Sequence, residues 1–515
     1  MTTSLDRRAP EADIALLLEG TFPYVAGGVS SWVNKMLASF PEYTFALVFI
    51  GGRREDYDQP VYELPPNVVH FETHFIHQPA DTMPVLPCKG DREAFAHVAR
   101  MHDALREPGA YGAITRLMQA LMPILGEGGG LGEREFLHAE RSWDLISERY
   151  ERFCTDPSFT DYFWTVRIMH KPIWQLLRVS EQLPQAKIYH TISTGYAGLL
   201  GALLRLKRPG RLLVSEHGIY TKERKIDLLQ SQWIRDNRGL FEKDVTQVGY
   251  LQELWVRFFE ALGRMCYETA DDIVSLYEGN RVRQIQDGAP PEKTHIIPNG
   301  IAISRFAALR AQRPQTAPPV VAFIGRVVSI KDVKTFIRGV FTASRGMPAL
   351  EGWIIGPDTE DPVYARECRD LVASLGLQDR IKFLGLQRIE DFLPRIGLVA
   401  LSSISEGLPL VILEAFAAGV PVVTTDVGAC RTLIEGWGDE DRALGSAGAL
   451  VPIANPERFA QAVTDLLGHP AAWRAAQAAG IARVERYYTD VRMQASYQHL
   501  YEKLMDKAVC MAGEQ

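Results

Sequence analysis

The stretch Val399–Glu414 reads VALSSISEGLPLVILE and contains three local patterns in a row. Val399–Leu401 is a short apolar run, which predicts a buried β-strand. A polar loop that contains Glu406 follows, and the apolar run Leu410–Ala418 after it predicts a helix. A strand, a loop and a helix in this order form the repeating unit of parallel α/β sheets. The stretch therefore predicts an α/β fold.

The same alternation extends over most of the chain. The strands predicted for a first half are Ile14–Leu18, Phe45–Ile50, Lys187–His190, Leu212–Ser215 and Asp272–Leu276. Those predicted for a second half are Val320–Ile324, Gly352–Ile355, Ile381–Phe383, Val399–Leu401, Val422–Thr424 and Leu450–Pro452. Regular alternation of this kind indicates doubly wound parallel sheets. We therefore expect two Rossmann-like domains.

The domain boundaries follow from changes in this pattern. Residues 1–305 are predicted to form the first domain, with a mainly helical insertion at about 79–183. Residues 306–485 are predicted to form the second domain, after a polar, proline-containing linker at Arg305–Pro319. Residues 486–515 carry apolar side chains at helical spacing, which predicts a packed C-terminal helix.

Composition narrows the class of protein. The chain has 515 residues with a net charge of −7, which gives no reason to expect nucleic acid as a partner. Its six cysteines show no CxxC spacing, which is typical of reduced thiols. The sequence shows neither a signal-peptide core nor an apolar run long enough to span a membrane. We expect a cytoplasmic protein, and peripheral attachment at the inner membrane stays open.

Two cations follow the first predicted strand of the second domain. Gly325-Arg326 closes that strand, and Lys331 is predicted to open the next helix with Asp332. Ligands of open α/β sheets bind beyond the carboxyl ends of the strands. Arginine offers a planar fork to phosphate oxygens and lysine a mobile point charge. The pattern favours diphosphate binding over the alternative of two solvated surface cations.

Two carboxylates lie eight residues apart in the opening stretch. Glu406 is predicted in the loop before the helix, and Glu414 about one turn inside it. A carboxylate can accept hydrogen bonds from two adjacent hydroxyls, such as those of a ribose. Glu414 has apolar neighbours, and a buried charge without a partner is costly. The alternative is an exposed helix glutamate with a loop glutamate near the helix dipole.

The first domain offers weaker signals. Gly27-Gly28 follows the first strand and precedes a helix predicted near Ser30 or Ser31, so its N–H groups could approach a phosphate or sugar. A plain tight turn is the alternative, and the pattern is not GxGxxG. His217 ends another strand beside a glycine. It is a candidate site residue, with a structural histidine as the alternative, and His190 is a weaker candidate for the acceptor side.

A competing motif is Asp56-Tyr57-Asp58, whose DxD form binds Mn²⁺ or Mg²⁺ in a class of metal-dependent enzymes. Charged residues and a proline surround it, which is typical of a solvent-exposed loop. We therefore expect no metal site there. No Ser–His–Asp arrangement and no Walker loop is readable in the sequence.

Together these motifs resemble the retaining glycosyltransferases of family 4, which have the GT-B fold. The matching residues are Glu406 and Glu414 of an E-x7-E motif, Arg326 and Lys331 of a phosphate-binding pair, Gly27 and Gly28 of a glycine loop, and Asn299-Gly300 of a PNG hinge. The resemblance also assigns donor binding to Gly325, Gly407, Leu408, Pro409 and Leu410. It is dense from roughly residue 296 to 467.

The resemblance implies two domains that face each other across a cleft, with the last helix crossing back to the first domain. It implies a UDP-sugar donor, with UDP-glucose expected, and no metal or other cofactor. The opening Leu17–Trp32 and the insertion extend the resemblance to the members that build the Pel exopolysaccharide of bacterial biofilms. A polysaccharide acceptor and membrane-bound Pel biosynthesis proteins are the implied partners.

The sequence supports one mechanistic hypothesis. Arg326 and Lys331 would stabilise the leaving diphosphate, which is preorganised electrostatic catalysis. Glu414 would hold the ribose and Glu406 the donor sugar, while His217 would lie on the other face of the sugar. Two alternatives stay open. One is a UDP-sugar epimerase or hydrolase on the same fold, and the other is a non-catalytic nucleotide-sugar-binding subunit of a membrane complex.

Overall fold

The structure of the protein is a computed structural model that describes residues 11–76, 88–106, 112–126, 130–155, 157–231, 234 and 248–512. The chain divides into two compact units. The first unit contains the chain up to Ser275, Arg281–Ile296 and the chain from Gln498 onward. The second unit contains Leu276–Asn280 and Ile297–Tyr497.

A seven-stranded parallel sheet forms the centre of the first unit, in the order β3-β2-β1-β4-β5-β6-β7. Its strands are β1 (Ala12–Glu19), β2 (Phe45–Gly51), β3 (Val68–Phe75), β4 (Ala186–Thr191), β5 (Arg211–Glu216), β6 (Asp272–Ser275) and β7 (Thr294–Ile296). The order reverses between β1 and β4, and such a switch point is where open α/β sheets bind ligands.

The helices from α1 to α10 accompany this sheet. They are α1 (Gly28–Ser39), α2 (Arg92–Arg106), α3 (Ala113–Leu121), α4 (Glu133–His138), α5 (Glu140–Phe153), α6 (Phe159–Gln182), α7 (Tyr196–Lys207), α8 (Tyr220–Gln230), α9 (Tyr250–Thr269) and α10 (Glu278–Gln286). Five of them, α2 to α6, lie between β3 and β4 along the chain. Their apolar faces join the core of the sheet through residues such as Phe95, Met169 and Trp174.

The second unit has a six-stranded parallel sheet in the order β10-β9-β8-β11-β12-β13. Its strands are β8 (Val320–Ile324), β9 (Glu351–Ile355), β10 (Ile381–Gly385), β11 (Leu398–Leu401), β12 (Val422–Thr425) and β13 (Gly448–Val451). Alternate side chains of the sheet enter two separate apolar clusters, as the alternation of side chains along a strand requires. The order of this sheet reverses between β8 and β11.

Nine helices follow in the described part of the chain after α10. They are α11 (Ile303–Ala307), α12 (Val333–Ser344), α13 (Pro362–Ser374), α14 (Leu410–Ala417), α15 (Cys430–Glu435), α16 (Gly438–Arg442), α17 (Pro456–Gly468), α18 (Pro470–Tyr487) and α19 (Asp490–Ala512). The expected linker at Arg305–Pro319 is helical over its first part, because α11 continues into a 3₁₀ turn at Ala308–Gln312.

The two parallel sheets confirm the predicted α/β class. Two edge strands, β3 and β7, were not predicted. β3 reads VVHFETHF and its side chains are mostly half-buried, so its apolar signal is diluted, whereas β7 has only three residues. No helix in the described part of the chain has both the length and the apolar character needed to cross a bilayer.

Candidate functional site

The loops after β8 and β9 touch at the carboxyl edge of the second sheet. Gly325 donates its N–H to the Ile355 carbonyl at 2.9 Å. Gly356 has a φ of +145°, and a Cβ built on it would lie 2.0 Å from the Gly325 carbonyl oxygen. Only glycine allows this approach. The two loops therefore begin next to each other, and Arg326 lies in the first of them.

Arg326 reaches across to that second loop. Its Nη1 lies 2.6 Å from both carboxylate oxygens of Glu360, and both side chains are 53% exposed. Sequence reasoning missed Glu360. Its position could have identified it. Glu360 follows β9 and Arg326 follows β8, and these two strands are neighbours in the sheet. An exposed ion pair of this kind is weak and can exchange with a ligand.

Lys331 ends a 3₁₀ turn at Ser329–Lys331, and α12 begins at Val333. The prediction that Lys331 opens the helix is therefore wrong by two residues. Asp332 adopts a left-handed conformation with φ +43° and caps α12 by accepting a hydrogen bond from the Thr335 N–H at 3.2 Å. The turn is anchored on the loop after β11, because Ser402 donates its hydroxyl to the Lys331 carbonyl at 3.1 Å.

Lys331 and Glu406 form an ion pair although 75 residues separate them. Lys331 Nζ lies 2.6 Å from Glu406 Oε1, and the two side chains are 22% and 9% exposed. Ser403 donates its hydroxyl to the same oxygen at 2.5 Å. Within the described residues, Glu406 Oε2 has no hydrogen-bond partner. One carboxylate oxygen thus holds the lysine in place, while the other can accept a hydrogen bond from a ligand.

The backbone around Glu406 is fixed by the turn after β12. A Cβ on Gly428, whose φ is +57°, would lie 2.2 Å from the Glu406 carbonyl oxygen. Ala429 donates its N–H to the Gly407 carbonyl at 2.8 Å, and Thr425 donates its hydroxyl to the Ser403 carbonyl at 2.6 Å. Sequence reasoning missed Gly428. A glycine shortly after a predicted strand was the signal that could have found it.

The start of α14 lies shortly after Glu406 in the chain. Pro409 is its N-cap residue and supplies no capping side chain. Such a helix start attracts anions through free N–H groups and the helix dipole. Leu408 and Pro409 are buried, whereas Gly407 and Leu410 are partly exposed. Together with Glu406, the start of α14 can therefore face a ligand at the carboxyl edge of the sheet.

Glu414 lies one helical turn after Leu410 on α14. Its side chain is partly exposed, although its neighbours Leu413 and Ala415 are fully buried. This burial pattern orients the helix, because the apolar face packs into the core and leaves the Glu414 face at its margin. Glu414 therefore lies in the same helix whose N-terminus follows Glu406, as the E-x7-E spacing predicts.

Asn299 is buried, and its Oδ1 has no hydrogen-bond partner among the described residues. The next residues pair with a distant segment. Ile301 donates its N–H to the Tyr488 carbonyl at 3.0 Å, and a Cβ on Gly300 would lie 2.3 Å from the Thr489 carbonyl oxygen. Gly300 is thus needed for a close approach within the second unit. Donor binding by Asn299 stays a prediction.

In the first unit, Gly27 is the N-cap of α1 and Gly28 its first residue. Both are exposed, and no atom lies within 4 Å of a Cβ built on either. Open space above the start of the helix leaves its first N–H groups accessible, as the prediction of a phosphate or sugar contact requires. α1 begins two residues earlier than the predicted start near Ser30.

His217 follows β5 and packs against α1. Its ring meets Trp32 edge to face with 4.7 Å between the ring centroids. Burial lowers the pKa of His217 to about 4, so the imidazole is neutral at pH 7. Its Nε2 has no hydrogen-bond partner among the described residues. A buried ring nitrogen without a hydrogen bond costs free energy unless a ligand or a water molecule supplies the bond. This favours His217 as a site residue over a structural histidine.

Two residues beside His217 are held by internal hydrogen bonds. Glu216 is fully buried, and burial raises the pKa of its carboxyl. It accepts hydrogen bonds from Tyr267 and from Gln284 at 3.0 Å. His190, also buried, lies 2.9 Å from the Tyr501 hydroxyl and 2.8 Å from the Ser215 hydroxyl. Its partners make it a structural histidine of this unit, not a residue that lines a site.

Glu19 ends β1 at the switch point of the first sheet, and sequence reasoning missed it. Tyr220 donates its hydroxyl to Glu19 Oε1 at 2.8 Å. Glu19 Oε2 accepts hydrogen bonds from the Ser193 hydroxyl at 3.1 Å and from the Ala197 N–H at 3.0 Å. Its position at the end of a predicted strand was the signal that could have found it. Glu19 links the loops after β4 and β5.

The DxD motif lies in an exposed turn. Asp56 and Asp58 are both exposed, and Asp56 accepts a hydrogen bond from the Arg53 N–H at 3.2 Å. Tyr57 points the other way and packs on Phe49 with 5.1 Å between ring centroids. In the residues that the structure describes, no group of three or more His, Cys, Asp and Glu side chains is placed to hold a metal ion.

The predicted residues therefore fall into two sets. Gly27, Gly28 and His217 belong to the first unit. The other predicted residues belong to the second unit, where Lys331 bonds Glu406 directly. Arg326 forms its ion pair with Glu360, which was not among the predicted residues.

Comparison with known proteins agrees with this division. Residues 12–292, more than half of the chain, match the family model described as a domain of unknown function, DUF3492. The chain belongs to this family. Residues 318–469 match the model described as glycosyl transferases group 1. The second unit of this DUF3492 protein therefore carries a group 1 glycosyltransferase domain.

Several curated relatives share part of the sequence. The D-inositol 3-phosphate glycosyltransferase of Kineococcus radiotolerans is 28% identical over 258 residues, which cover 47% of this chain and 59% of the relative. The enzyme of the same name from Salinispora tropica is 31% identical over 255 residues, covering 43% and 50%. The chain thus spans about half the length of the curated relatives that it matches.

Solved structures match nearly the whole chain. Sucrose-phosphate synthase from Thermosynechococcus elongatus has a TM-score of 0.56 at 17% identity, with 96% of this chain and 99% of that chain covered. Anabaena HepE in complex with UDP and glucose also has a TM-score of 0.56, at 14% identity, covering 96% and 100%. At these identities the likeness shows the fold, which is that of GT-B glycosyltransferases.

Proposed function

We propose that this chain is a retaining glycosyltransferase that transfers glucose from UDP-glucose to a growing bacterial exopolysaccharide without a metal ion. The observation that carries the proposal is the Lys331–Glu406 ion pair at the carboxyl edge of the second sheet. It lies in the part of the chain that matches group 1 glycosyltransferases. Arg326 and Glu414 lie on segments that follow β8 and β11 at the same edge.

The cations would act on the leaving group. In a sugar transfer from UDP-glucose, the bond between the anomeric carbon and the diphosphate oxygen breaks, and negative charge builds on that oxygen. Arg326 and Lys331 would stabilise this charge by fixed electrostatics. Each has a glutamate partner in the structure. The exposed Glu360 would give way to the diphosphate, whereas Glu406 would keep Lys331 in position.

The carboxylates would bind hydroxyls. Glu406 Oε2 has no partner among the described residues and would accept from the donor sugar, and Glu414 would accept from the ribose. His217 would lie against the other face of the sugar as a neutral imidazole. The set contains no dedicated nucleophile, so we favour displacement on the same face of the anomeric carbon. The acceptor hydroxyl then gives its proton to the leaving diphosphate.

The donor and the pathway belong to the same proposal. The complex of Anabaena HepE with UDP and glucose supports UDP-glucose as the donor class. The opening Leu17–Trp32 and the helical insertion resemble PelF, the cytosolic glycosyltransferase of Pel exopolysaccharide synthesis. We propose the same role here, with membrane-bound Pel proteins as partners and peripheral attachment to the inner membrane.

Calorimetric titration of the full chain tests donor binding. The ligands are UDP, UDP-glucose, UDP-N-acetylglucosamine, UDP-galactose, GDP-mannose and ADP-glucose, each with a metal chelator present. Micromolar binding of UDP-glucose is expected, with loss of binding in Glu414→Ala and no change in Glu440→Ala, a control on the exposed face of α16. Failure of every nucleotide-sugar to bind the folded chain would contradict the proposal.

Product analysis separates this function from its alternatives. Incubation with radiolabelled UDP-glucose and oligosaccharide acceptors should lengthen the acceptor with retained anomeric configuration. Release of free glucose without transfer would favour a hydrolase, and formation of UDP-galactose would favour an epimerase. Binding without any turnover would indicate a nucleotide-sugar-binding subunit.

A further inference from the structure

The helical insertion lines a partly open cavity of about 170 Å³ that the proposed glycosyl transfer does not use. Helices α2, α3, α5 and α6 form most of its wall, and α9 lines another side. Aliphatic, sulfur-containing and aromatic side chains make up most of the lining, including Val98, Met118, Leu121, Val166, Phe258 and Met265. All of the lining residues belong to the first unit.

The volume of the cavity sets the size of an occupant. Protein interiors are packed like organic crystals, so a void of this size is uncommon. An apolar cavity of about 150 Å³ stays dry and takes up a hydrocarbon ring such as benzene. This cavity therefore has room for about six to eight carbon atoms. Its walls would exclude a sugar, because a buried hydroxyl without a hydrogen bond is costly.

The charged side chains of the lining all have the same sign. They are Arg106, Arg149 and Arg257, and no aspartate or glutamate of the described part of the chain lines the cavity. Arg149 pairs with Asp103 and Arg257 with Glu253. Arg106 stacks on Phe153 at 3.5 Å and donates to the Tyr250 hydroxyl at 3.5 Å. Among the described residues, no carboxylate pairs with Arg106.

Two histidines in the lining add polarity but no charge. His170 Nδ1 donates to the Val166 carbonyl at 2.7 Å. Its Nε2 is therefore an acceptor, and His102 donates to it from Nε2 at 3.0 Å. Burial lowers the pKa of both rings, that of His102 to about 3. Tyr162 is also neutral, because burial raises the pKa of its hydroxyl. The arginines alone decide the preferred charge of a ligand.

We propose that this cavity binds an anionic amphiphile, with an aliphatic chain of about eight carbons in the apolar interior and the acid group on Arg106. The lining accounts for both parts of the ligand. Hydrocarbon fits the apolar walls, and Arg106 offers donors that no carboxylate of the described chain occupies. A fatty acid and a lipid phosphate share this chemistry, so both are tested.

The first experiment titrates the full chain with octanoate, octyl phosphate, octanol and octylamine by calorimetry. One or both anions should bind with one site per chain, octanol should bind about tenfold more weakly, and octylamine should not bind. A preference for octanoate indicates a fatty acid, and a preference for octyl phosphate indicates a lipid phosphate. If neither anion binds the folded chain, the proposal is wrong.

Variants separate the head group from the cavity. Arg106→Gln should weaken anion binding about tenfold and leave octanol unchanged, and Arg116→Gln, an exposed residue of α3 outside the lining, is the matched control. Leu121→Trp should fill the cavity and abolish binding of every ligand. Equal octanoate affinity in Arg106→Gln and in the native chain would overturn the head-group assignment.

A fluorescence measurement tests the cavity independently if the Leu121→Trp variant does not fold. Trp174 lines the cavity. Octanoate with bromine on its last carbon should quench part of the tryptophan emission of the native chain, because bromine quenches at contact distance. Trp174→Phe should bind this ligand and lose that part of the quenching. Binding without any quenching in the native chain would place the ligand elsewhere and reject the cavity as its site.

Discussion

The carboxyl edges of the two sheets differ in charge and in burial. In the second unit, Arg326 and Lys331 are at least partly exposed and pair with glutamates across loops. In the first unit, His190 and Glu216 are buried and His217 is partly exposed, and desolvation shifts the pKa of each towards its neutral form. One edge thus holds paired charges, and the other holds two neutral histidines beside a carboxyl whose pKa is raised.

This difference separates two kinds of chemistry. The exposed Arg326–Glu360 pair is worth little to stability, so a diphosphate can exchange with it at low cost, whereas the less exposed Glu406 keeps Lys331 in place. Buried neutral groups keep one arrangement, because a broken internal hydrogen bond leaves an unsatisfied polar atom. In the proposed function the charges of the second unit would stabilise the leaving group, and the hydrogen-bonded groups of the first unit keep a fixed arrangement. The following predictions test this contrast.

The largest effect is expected for Lys331→Ala. The variant loses a fixed cation beside the leaving group, which should lower kcat by about 10²–10³-fold, as the loss of one oxyanion donor does. Steady-state kinetics with UDP-glucose measures this. Lys382→Ala is the control, because Lys382 also forms a 2.7 Å ion pair in the same unit, with Glu351. Equal activity of the two variants would contradict the proposed role of Lys331 in stabilising the leaving group.

A smaller loss is expected for His217→Gln. In the proposed reaction the neutral imidazole would position the donor sugar, so its removal should cost about 10²-fold in rate, as a small misplacement of the substrate does. Because the pKa of His217 is about 4, the native rate should show no histidine ionisation between pH 5 and 8. A rate that changes with an apparent pKa near 6.5 and loses that dependence in the variant would contradict the neutral assignment.

The pH dependence of the unfolding free energy tests the buried groups at the carboxyl edge of the first sheet. Folded His190 has a pKa of about 3, whereas an unfolded histidine titrates near 6.5. Between these values the unfolded state binds a proton that the native state does not, so stability falls as the pH falls. From pH 7 to 5, His190 should account for about 2 kcal/mol of this loss.

Urea denaturation at both pH values measures that contribution. His190→Asn should lower stability at pH 7 and show a shallower dependence on pH than the native chain. The exposed His469 serves as the control, because His469→Asn should leave the slope unchanged. Parallel slopes for the native chain and His190→Asn would show that His190 carries no such penalty.

The smallest effect is expected for Glu360→Gln. The exposed pair with Arg326 is worth at most about 1 kcal/mol, so freeing the arginine should tighten UDP binding by no more than about fivefold. Calorimetry compares the variant with Glu367→Gln, which removes a partner of Lys334 in the same unit. Weaker UDP binding in Glu360→Gln would show that Glu360 supports the site and does not compete for Arg326.

Sequence reasoning located most of the strands, α14 and candidate residues of the second-unit edge. These signals are local, because a buried strand is a short apolar run and the E-x7-E spacing lies within one loop and one helix. It missed Glu360, Gly428 and Glu19. Each is an ordinary residue along the chain and becomes significant only beside a partner from another strand.

The sequence by itself therefore determined the α/β class, the order of most elements and the candidate residues of the second unit, since hydrophobic periodicity and short motifs act over a few residues. Only the tertiary structure decided which of them meet. The Lys331–Glu406 pair joins residues 75 positions apart, and the cavity forms where the helices of the insertion meet α9 without filling the space between them. Pairing and packing depend on the whole chain, because side chains distant in sequence must fit each other in three dimensions.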